Sequence, residues 1–190
     1  EYLTNVIKAT FERGGKILIP VLGSGRAQEV MVMVERLMRE KKIPEAPIYI
    51  DGMLWDISAI HTAYPEYLSR NLRQQIFNKE SNPFLSPLFK QVGSHKERQQ
   101  IMLEEGACLI LATSGMLSGG PSVEYLKNLA EDPRHSLVFS CYQPPGSLGY
   151  RIREGEKEIR FSDGGKPIML QIKLNVHKVE ITNHSDRRQL

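Results

Sequence analysis

Small polar residues and glycines gather in one short stretch, residues 113–120, whose chemistry suits a bound anion. It supplies two hydroxyls, from Ser114 and Ser118, and a glycine pair, Gly119 and Gly120, that leaves the backbone open. Backbone N–H groups at the start of a helix have no partner inside it and carry a partial positive charge. The stretch therefore predicts an oxyanion or phosphate site, and the alternative is a tight turn whose glycines only relieve backbone crowding.

The residues on either side of this stretch predict how it is held. Residues 108–112 are a short apolar run, long enough for a buried strand and too short for a helix. Pro121 opens an amphipathic segment, and proline suits a first helical position because the N–H there has no intrahelical partner. The predicted arrangement is strand, glycine-rich loop and helix, with the loop at the carboxyl end of the strand, where open parallel sheets bind ligands.

The rest of the chain repeats this alternation. Residues 16–22 and 136–142 are further apolar runs, and helical spacing separates the runs through about residue 145. We therefore predict an α/β fold with a mostly parallel sheet flanked by helices, Rossmann-like in its connections. From residue 166 onward the pattern alternates as in half-exposed strands, so we divide the chain into a domain over 1–165 and a β-rich C-terminal return segment over 166–190.

Composition narrows the class of protein. The chain has 190 residues, 41% of them hydrophobic and 25% charged, with a net charge of +3, which permits a polyanionic partner without requiring one. Cys108 and Cys141 both lie in apolar runs, so a disulfide framework is not expected and a reducing cytoplasm fits. No stretch is long and apolar enough to predict a membrane span, so no membrane partner is expected.

A second glycine-containing loop offers a competing function. Gly23-Ser-Gly-Arg26 follows an apolar run and opens a helix, and Asp51 stands where a ribose-binding acid would belong in a dinucleotide site. Gln28 replaces the third glycine of that fingerprint, which weakens the match. Arg26, beside the positive end of a helix, is a better candidate for a phosphate contact. A Rossmann-like nucleotide-binding protein stays open as an alternative.

The five histidines show no paired spacing typical of a metal site, and the chain contains no HExxH or CxxC, so no metal ligand is predicted within it. His184 differs from the others because it precedes a predicted helix start, with Asp186 in the first turn. Such a histidine could be aimed at a site and held there by hydrogen bonds.

Four stretches, taken in order, resemble the β-CASP family of metallo-β-lactamase-type nucleases, and most of all the archaeal relatives of the cleavage and polyadenylation specificity factor nuclease. The stretches are GGKILIPVLGSGRAQEV, ATSGMLSGGPSVEYL, SCYQPPGSLGYRIREGEKEI and HSDRRQL. The resemblance implies a three-layer α/β cassette inserted in a metallo-β-lactamase domain, with single-stranded RNA in the cleft between the two. It also implies phosphodiester hydrolysis with two zinc ions, in mRNA 3'-end processing or RNA turnover.

By the same resemblance, His184 matches the histidine thought to protonate the leaving oxygen. The residues implied to face the substrate are Ser114, Gly115, Ser118, Gly119 and Gly120. Arg26 is a further candidate for a phosphate contact, because it lies beside the positive end of a helix. The family's zinc-binding HxHxDH motif is not in this chain, so we expect the metallo-β-lactamase domain of the same polypeptide to hold the zinc. The chain alone would then be inactive. A homodimer and a non-catalytic family scaffold both stay open.

Overall fold

A parallel sheet of six strands forms the centre of the protein, described here from a computed structural model that covers residues 1–79, 82–163 and 166–179. The spatial order of the sheet is β3-β2-β4-β1-β5-β8, and β6 and β7 form a separate antiparallel hairpin. In chain order the strands are β1 (Lys16–Pro20), β2 (Ile48–Asp51), β3 (Phe89–Val92), β4 (Cys108–Ala112), β5 (Ser136–Phe139), β6 (Glu158–Asp163), β7 (Lys166–Gln171) and β8 (Asn175–Lys178).

Helices connect the parallel strands, as parallel pairing requires a crossover. They are α1 (Tyr2–Glu12), α2 (Arg26–Arg39), α3 (Leu54–Ala63), α4 (Arg70–Lys79), α5 (His95–Leu103), α6 (Pro121–Leu129) and α7 (Leu148–Arg153). Two short 3-10 turns, Pro65–Tyr67 and Pro83–Leu85, flank α4.

The sheet lies between two helical layers, and β1 shows how its side chains divide. Ile17 and Ile19 are buried in the hydrophobic core that α1, α2 and α3 cover, whereas Leu18 is buried in the core that α5, α6 and α7 cover. Because successive side chains of a strand point to opposite faces, a strand covered on both faces has no polar alternation. The predicted α/β class, with a mostly parallel sheet flanked by helices in three layers, is confirmed.

The C-terminal segment is β-rich as predicted, and its strands have two different roles. The hairpin contributes Ile159 and Leu170 to the core beside α6, whereas β8 pairs in parallel with β5 as the sixth strand of the main sheet. The predicted domain boundary between residues 165 and 166 falls between the two hairpin strands. It stays a prediction, and so does the return of the C-terminal segment to a metallo-β-lactamase domain. In the described ranges we find no helix with the length and hydropathy needed to cross a membrane.

Candidate functional site

The loops that follow β4, β1 and β5 are neighbours at the carboxyl edge of the sheet. This follows from the strand order, since β1 pairs in parallel with β4 on one side and with β5 on the other. From β1 the chain first crosses to β2 and β3, and only later to β5 on the opposite side. A reversal of this kind opens a crevice outside the strand ends, where open α/β sheets bind ligands.

The loop after β4 closes on itself through its own hydroxyl and backbone groups. Ser114 Oγ accepts a hydrogen bond from the Ser118 N–H at 2.9 Å and lies 3.1 Å from the Ser118 hydroxyl. Ser114 also donates from its N–H to the Gly119 carbonyl, and the Ser122 N–H in the first turn of α6 donates to the Thr113 carbonyl at 2.8 Å. Many of the hydroxyl and N–H groups that were predicted to bind an anion therefore stabilise the loop itself.

The donors that remain open are fewer than the sequence suggested. Within the described residues the N–H groups of Gly119 and Gly120 have no hydrogen-bond partner, and Ser118 is exposed beside them. Gly119 has a φ of +155° and Gly120 a φ of +73°, so both adopt backbone conformations that favour glycine. A Cβ atom at Gly119 would meet no other atom within 4 Å. An anion could therefore approach these two N–H groups and the Ser118 hydroxyl from solvent.

Gly115 joins the three loops, since it is buried where they meet. A Cβ atom there would lie 2.8 Å from Cys141 Sγ, in the loop after β5, and 3.0 Å from the backbone nitrogen of Leu22, in the loop after β1. Only a residue without a side chain lets this loop approach the Leu22 backbone and the Cys141 thiol this closely. The resemblance placed Gly115 against the substrate, whereas the structure gives it a packing role beneath the exposed part of the loop.

Gln143 fastens the loop after β4 to the loop after β5. Its side chain is fully buried, and its Nε2 donates to the Gly115 carbonyl at 2.8 Å. Its Oε1 lies against α7 at Gly149, where a Cβ atom would come within 1.8 Å of it. Our sequence reasoning missed Gln143. The sequence could have indicated it, because this polar amide directly follows the apolar run 136–142, at the edge where parallel sheets bind ligands.

Arg26 lies close to this junction and already has a partner. Its Nη1 is 2.6 Å from Glu29 Oε2, one turn along α2, and only 15% of its side chain is exposed. Burial raises the pKa of the Cys141 thiol, and the positive charge of Arg26 acts in the opposite direction. Arg26 is thus near enough to the loop after β5 to influence an ion there, and Glu29 competes with a phosphate for it.

Asp51, the candidate ribose-binding acid, belongs to a buried ionic cluster instead. Its carboxylate accepts two hydrogen bonds from Arg98, at 2.7 and 3.1 Å, and a third from the Tyr125 hydroxyl at 2.9 Å. Arg98 also contacts Glu124 at 2.5 Å. Burial, together with the adjoining Asp51 carboxylate, raises the pKa of Tyr125. With its oxygens occupied and 1% of the residue exposed, Asp51 is not free to bind a ribose.

The described part of the chain contains no cluster of three or more His, Cys, Asp or Glu side chains that could hold a metal ion. The residues present therefore do not fit a zinc site by themselves. His184 and Asp186 lie outside the described residues, so the role predicted for His184 stays a prediction.

Comparison with known proteins decides the family. Residues 27–152 match the family described as Beta-Casp domain. The chain belongs to this family. The Beta-Casp match begins one residue after Arg26 and ends within α7, so it includes both loops joined by Gly115 and Gln143. The resemblance stated from the sequence is confirmed.

Relatives of this Beta-Casp chain carry the name transcription termination factor FttA. The chain is 51% identical to the protein of Methanocaldococcus jannaschii and 52% identical to that of Methanothermobacter thermautotrophicus, in each case over 190 residues. It is 46% identical to the protein of a Lokiarchaeum species. Each alignment covers 99% of this chain and 30% of the relative, so the chain spans about a third of the length of the curated relatives it matches.

Proposed function

We propose that this Beta-Casp domain forms one wall of an RNA-binding cleft in a zinc-dependent nuclease, which acts in mRNA 3'-end processing or RNA turnover. The observation that carries the proposal is the pair of open N–H groups at Gly119 and Gly120, beside the exposed Ser118 hydroxyl. They lie at the crevice where ligands of parallel α/β sheets bind. Backbone N–H groups and hydroxyls are among the donors that hold phosphate oxygens without reading base sequence.

The chain's own part in such a reaction is to position the RNA backbone. A phosphate at Gly119 and Gly120 would accept two backbone hydrogen bonds, and donors that are already rigid lose little freedom on binding. Gly115 and Gln143 hold the loop in place from beneath, through the 2.8 Å hydrogen bond between them. Arg26 would add a positive charge if a phosphate displaced Glu29 from its guanidinium.

The zinc ions would be held by the metallo-β-lactamase domain of the same polypeptide, because the described residues offer no metal cluster. His184 is the candidate general acid of the family resemblance, which would give a proton to the leaving oxygen. A well-placed general acid contributes about a hundred- to ten-thousand-fold in rate. Single-stranded RNA is the proposed substrate, a homodimer is a proposed state of assembly, and the cytoplasm is the proposed location.

The test uses the full-length protein that contains this chain, with labelled single-stranded RNA as the substrate. Zinc-dependent cleavage is expected, and His184→Ala should slow it by about a hundred- to ten-thousand-fold while the zinc content stays normal. The 190-residue chain alone should neither cut RNA nor retain two zinc ions. Metal-dependent cleavage by the chain alone, with contaminating nuclease excluded, would contradict the proposed division of labour.

Two alternatives predict other results. A Rossmann-like nucleotide-binding protein should bind NAD saturably at micromolar concentration, which the occupied Asp51 carboxylate argues against. A non-catalytic scaffold should bind RNA without cutting it, and its metallo-β-lactamase domain should lack the HxHxDH ligands. Titration with NAD, together with binding and cleavage assays on the same RNA, distinguishes the nuclease, the nucleotide-binding protein and the scaffold.

A further inference from the structure

Three large apolar side chains are exposed together at the carboxyl edge of the sheet. Leu22, Met53 and Tyr142 follow β1, β2 and β5, and their exposed fractions are 45%, 60% and 69%. We call these three residues the apolar edge patch. Single exposed apolar residues are ordinary on a protein surface, but a group of them beside a ligand-binding crevice marks a contact site.

Contacts of neighbouring residues place the three members of the patch in adjacent loops. The loops that carry Leu22 and Tyr142 are neighbours, because Cys141 Sγ lies 3.5 Å from the Pro20 carbonyl oxygen and a Cβ atom at Gly115 would contact both Cys141 Sγ and the Leu22 backbone. Met53, which follows β2, lies beside Leu22, because a Cβ atom at the next residue, Gly23, would be 2.7 Å from the Met53 sulfur. All three residues therefore belong to loops that meet at the end of β1.

The patch also adjoins the proposed phosphate donors. Gly115 lies against both the Leu22 backbone and Cys141, the neighbours of the patch, and it belongs to the same loop as Gly119 and Gly120. The adjacent loops at this edge of the sheet thus carry hydrogen-bond donors for an anion together with one exposed aromatic ring and two exposed apolar side chains. Nucleotides present the same two chemistries, an anionic phosphate and a flat apolar base, within a few ångströms.

We propose that the apolar edge patch is a nucleobase platform, on which a base of single-stranded RNA stacks against Tyr142 while a phosphate of the same strand binds at Gly119 and Gly120. This proposal rests on the proposed RNA-binding function. Proteins bind single-stranded nucleic acid by stacking bases on aromatic side chains beside a groove that holds the backbone. Leu22 and Met53 have no groups that could read the edge of a base, so the platform should accept any base.

The test measures the affinity of the full-length protein for a short single-stranded RNA, with the metal chelated so that the RNA is not cut. Tyr142→Ala should weaken binding by about 5- to 150-fold, the range found when one stacked base loses its aromatic partner. Tyr142→Phe keeps the ring and should bind like the wild type. Tyr67→Ala is the matched control, since Tyr67 is 85% exposed in the 3-10 turn that follows α3, and it should also leave binding unchanged.

A series of RNAs with one abasic site each shows whether Tyr142→Ala weakens binding by removing base stacking or for another reason. An abasic site is moved along the RNA, and at one position it should weaken wild-type binding as much as Tyr142→Ala does. On that RNA the Tyr142→Ala variant should lose no further affinity, because the two changes remove the same contact. The salt dependence of binding should not change, since stacking neutralises no phosphate.

Other outcomes overturn the proposal in distinguishable ways. If the wild type binds RNA but Tyr142→Ala binds equally well, the platform is wrong and the proposed function stands. If Tyr142→Ala instead lowers the thermal midpoint of the full-length protein, and its binding loss is equal on every abasic RNA, the patch is an interdomain contact. If the wild type binds no RNA, the proposed function fails, and the platform fails with it.

Discussion

The guanidinium of Arg98 makes two hydrogen bonds to the carboxylate of Asp51, at 2.7 and 3.1 Å. The pair links α5 to the end of β2, and the Tyr125 hydroxyl adds a bond from α6. Asp51 is 1% exposed, so its charge is stabilised by these partners and not by water. The end of β2 is thus held by buried ionic contacts, whereas the open N–H groups lie in the loop after β4.

The ion pair predicts a large loss of stability in Arg98→Met. This change leaves the Asp51 carboxylate buried with only Tyr125 as a donor, and breaking a buried pair from one side costs about 3–5 kcal/mol. Urea denaturation of the chain measures it. The double variant Asp51→Asn/Arg98→Met should recover part of the loss, because it removes the uncompensated charge. Equal stability of the wild type and Arg98→Met would show that water reaches Asp51.

Gly119→Ala tests the open donors more sharply than a change at Gly120, where a Cβ atom would also press on the Thr113 carbonyl at 3.1 Å. The new methyl group should obstruct an anion at the Gly119 and Gly120 N–H groups. We expect RNA binding and cleavage to fall by about 10- to 100-fold, the cost of a lost hydrogen bond to a charged group. Zinc content should not change.

The matched control for this variant is Gly106→Ala. Gly106 also has a positive φ, of +112°, and open space around its Cβ position, but it precedes β4 at the opposite edge of the sheet. Both variants carry the same kind of backbone strain, so both should be slightly destabilised. If Gly106→Ala lowers RNA binding as much as Gly119→Ala does, strain and not a phosphate contact explains the loss.

Gln143→Leu should loosen the loop after β4 without changing its sequence. It removes the 2.8 Å donor to the Gly115 carbonyl, which then keeps only the weak Cys141 thiol donor at 3.6 Å, and a buried acceptor without a good partner costs about 1–3 kcal/mol. Hydrogen exchange followed by mass spectrometry should show faster exchange in residues 113–120. Gln143→Glu places a carboxylate against the same carbonyl, so hydrogen exchange in residues 113–120 should be faster still. Unchanged exchange in both variants would remove Gln143 from its positioning role.

Stability should fall as the pH drops from about 7 to 5, because of two histidines. Burial lowers the pKa of His135, whose Nδ1 accepts the Lys16 N–H at 2.9 Å, and burial also lowers the pKa of His177. The folded chain then binds these protons more weakly than the unfolded chain. Stability is therefore present above the unfolded pKa of about 6.5 and is lost as the pH falls through the lower folded values.

Urea denaturation at several pH values checks this. His135→Gln, whose amide oxygen can still accept from Lys16, should flatten the pH dependence between 7 and 5. Acidic groups such as Asp132 should not contribute there, since Arg134 lowers the pKa of Asp132 to about 2. A wild-type stability that stays level between pH 7 and 5 would contradict the prediction.

The sequence by itself determined the elements and the fold class. Runs such as residues 108–112 and 16–20 are too short and too uniformly apolar for an amphipathic helix, so a buried parallel strand is the local structure they favour. Pro121 and the glycines before it predicted where α6 begins. The family could also be identified from four stretches, because their combination along the chain is specific even though each alone is weak.

Only the tertiary structure decided which polar groups are free. Ser114 and Asp51 both have the chemistry to bind a ligand, yet Ser114 is bonded to Ser118 within its own loop and Asp51 to Arg98, 47 residues further along the chain. The strand order places the loops after β1 and β5 against Gly115, through Leu22 and Cys141. Local sequence cannot contain this information, because a hydrogen-bond partner across the sheet depends on which strands become neighbours.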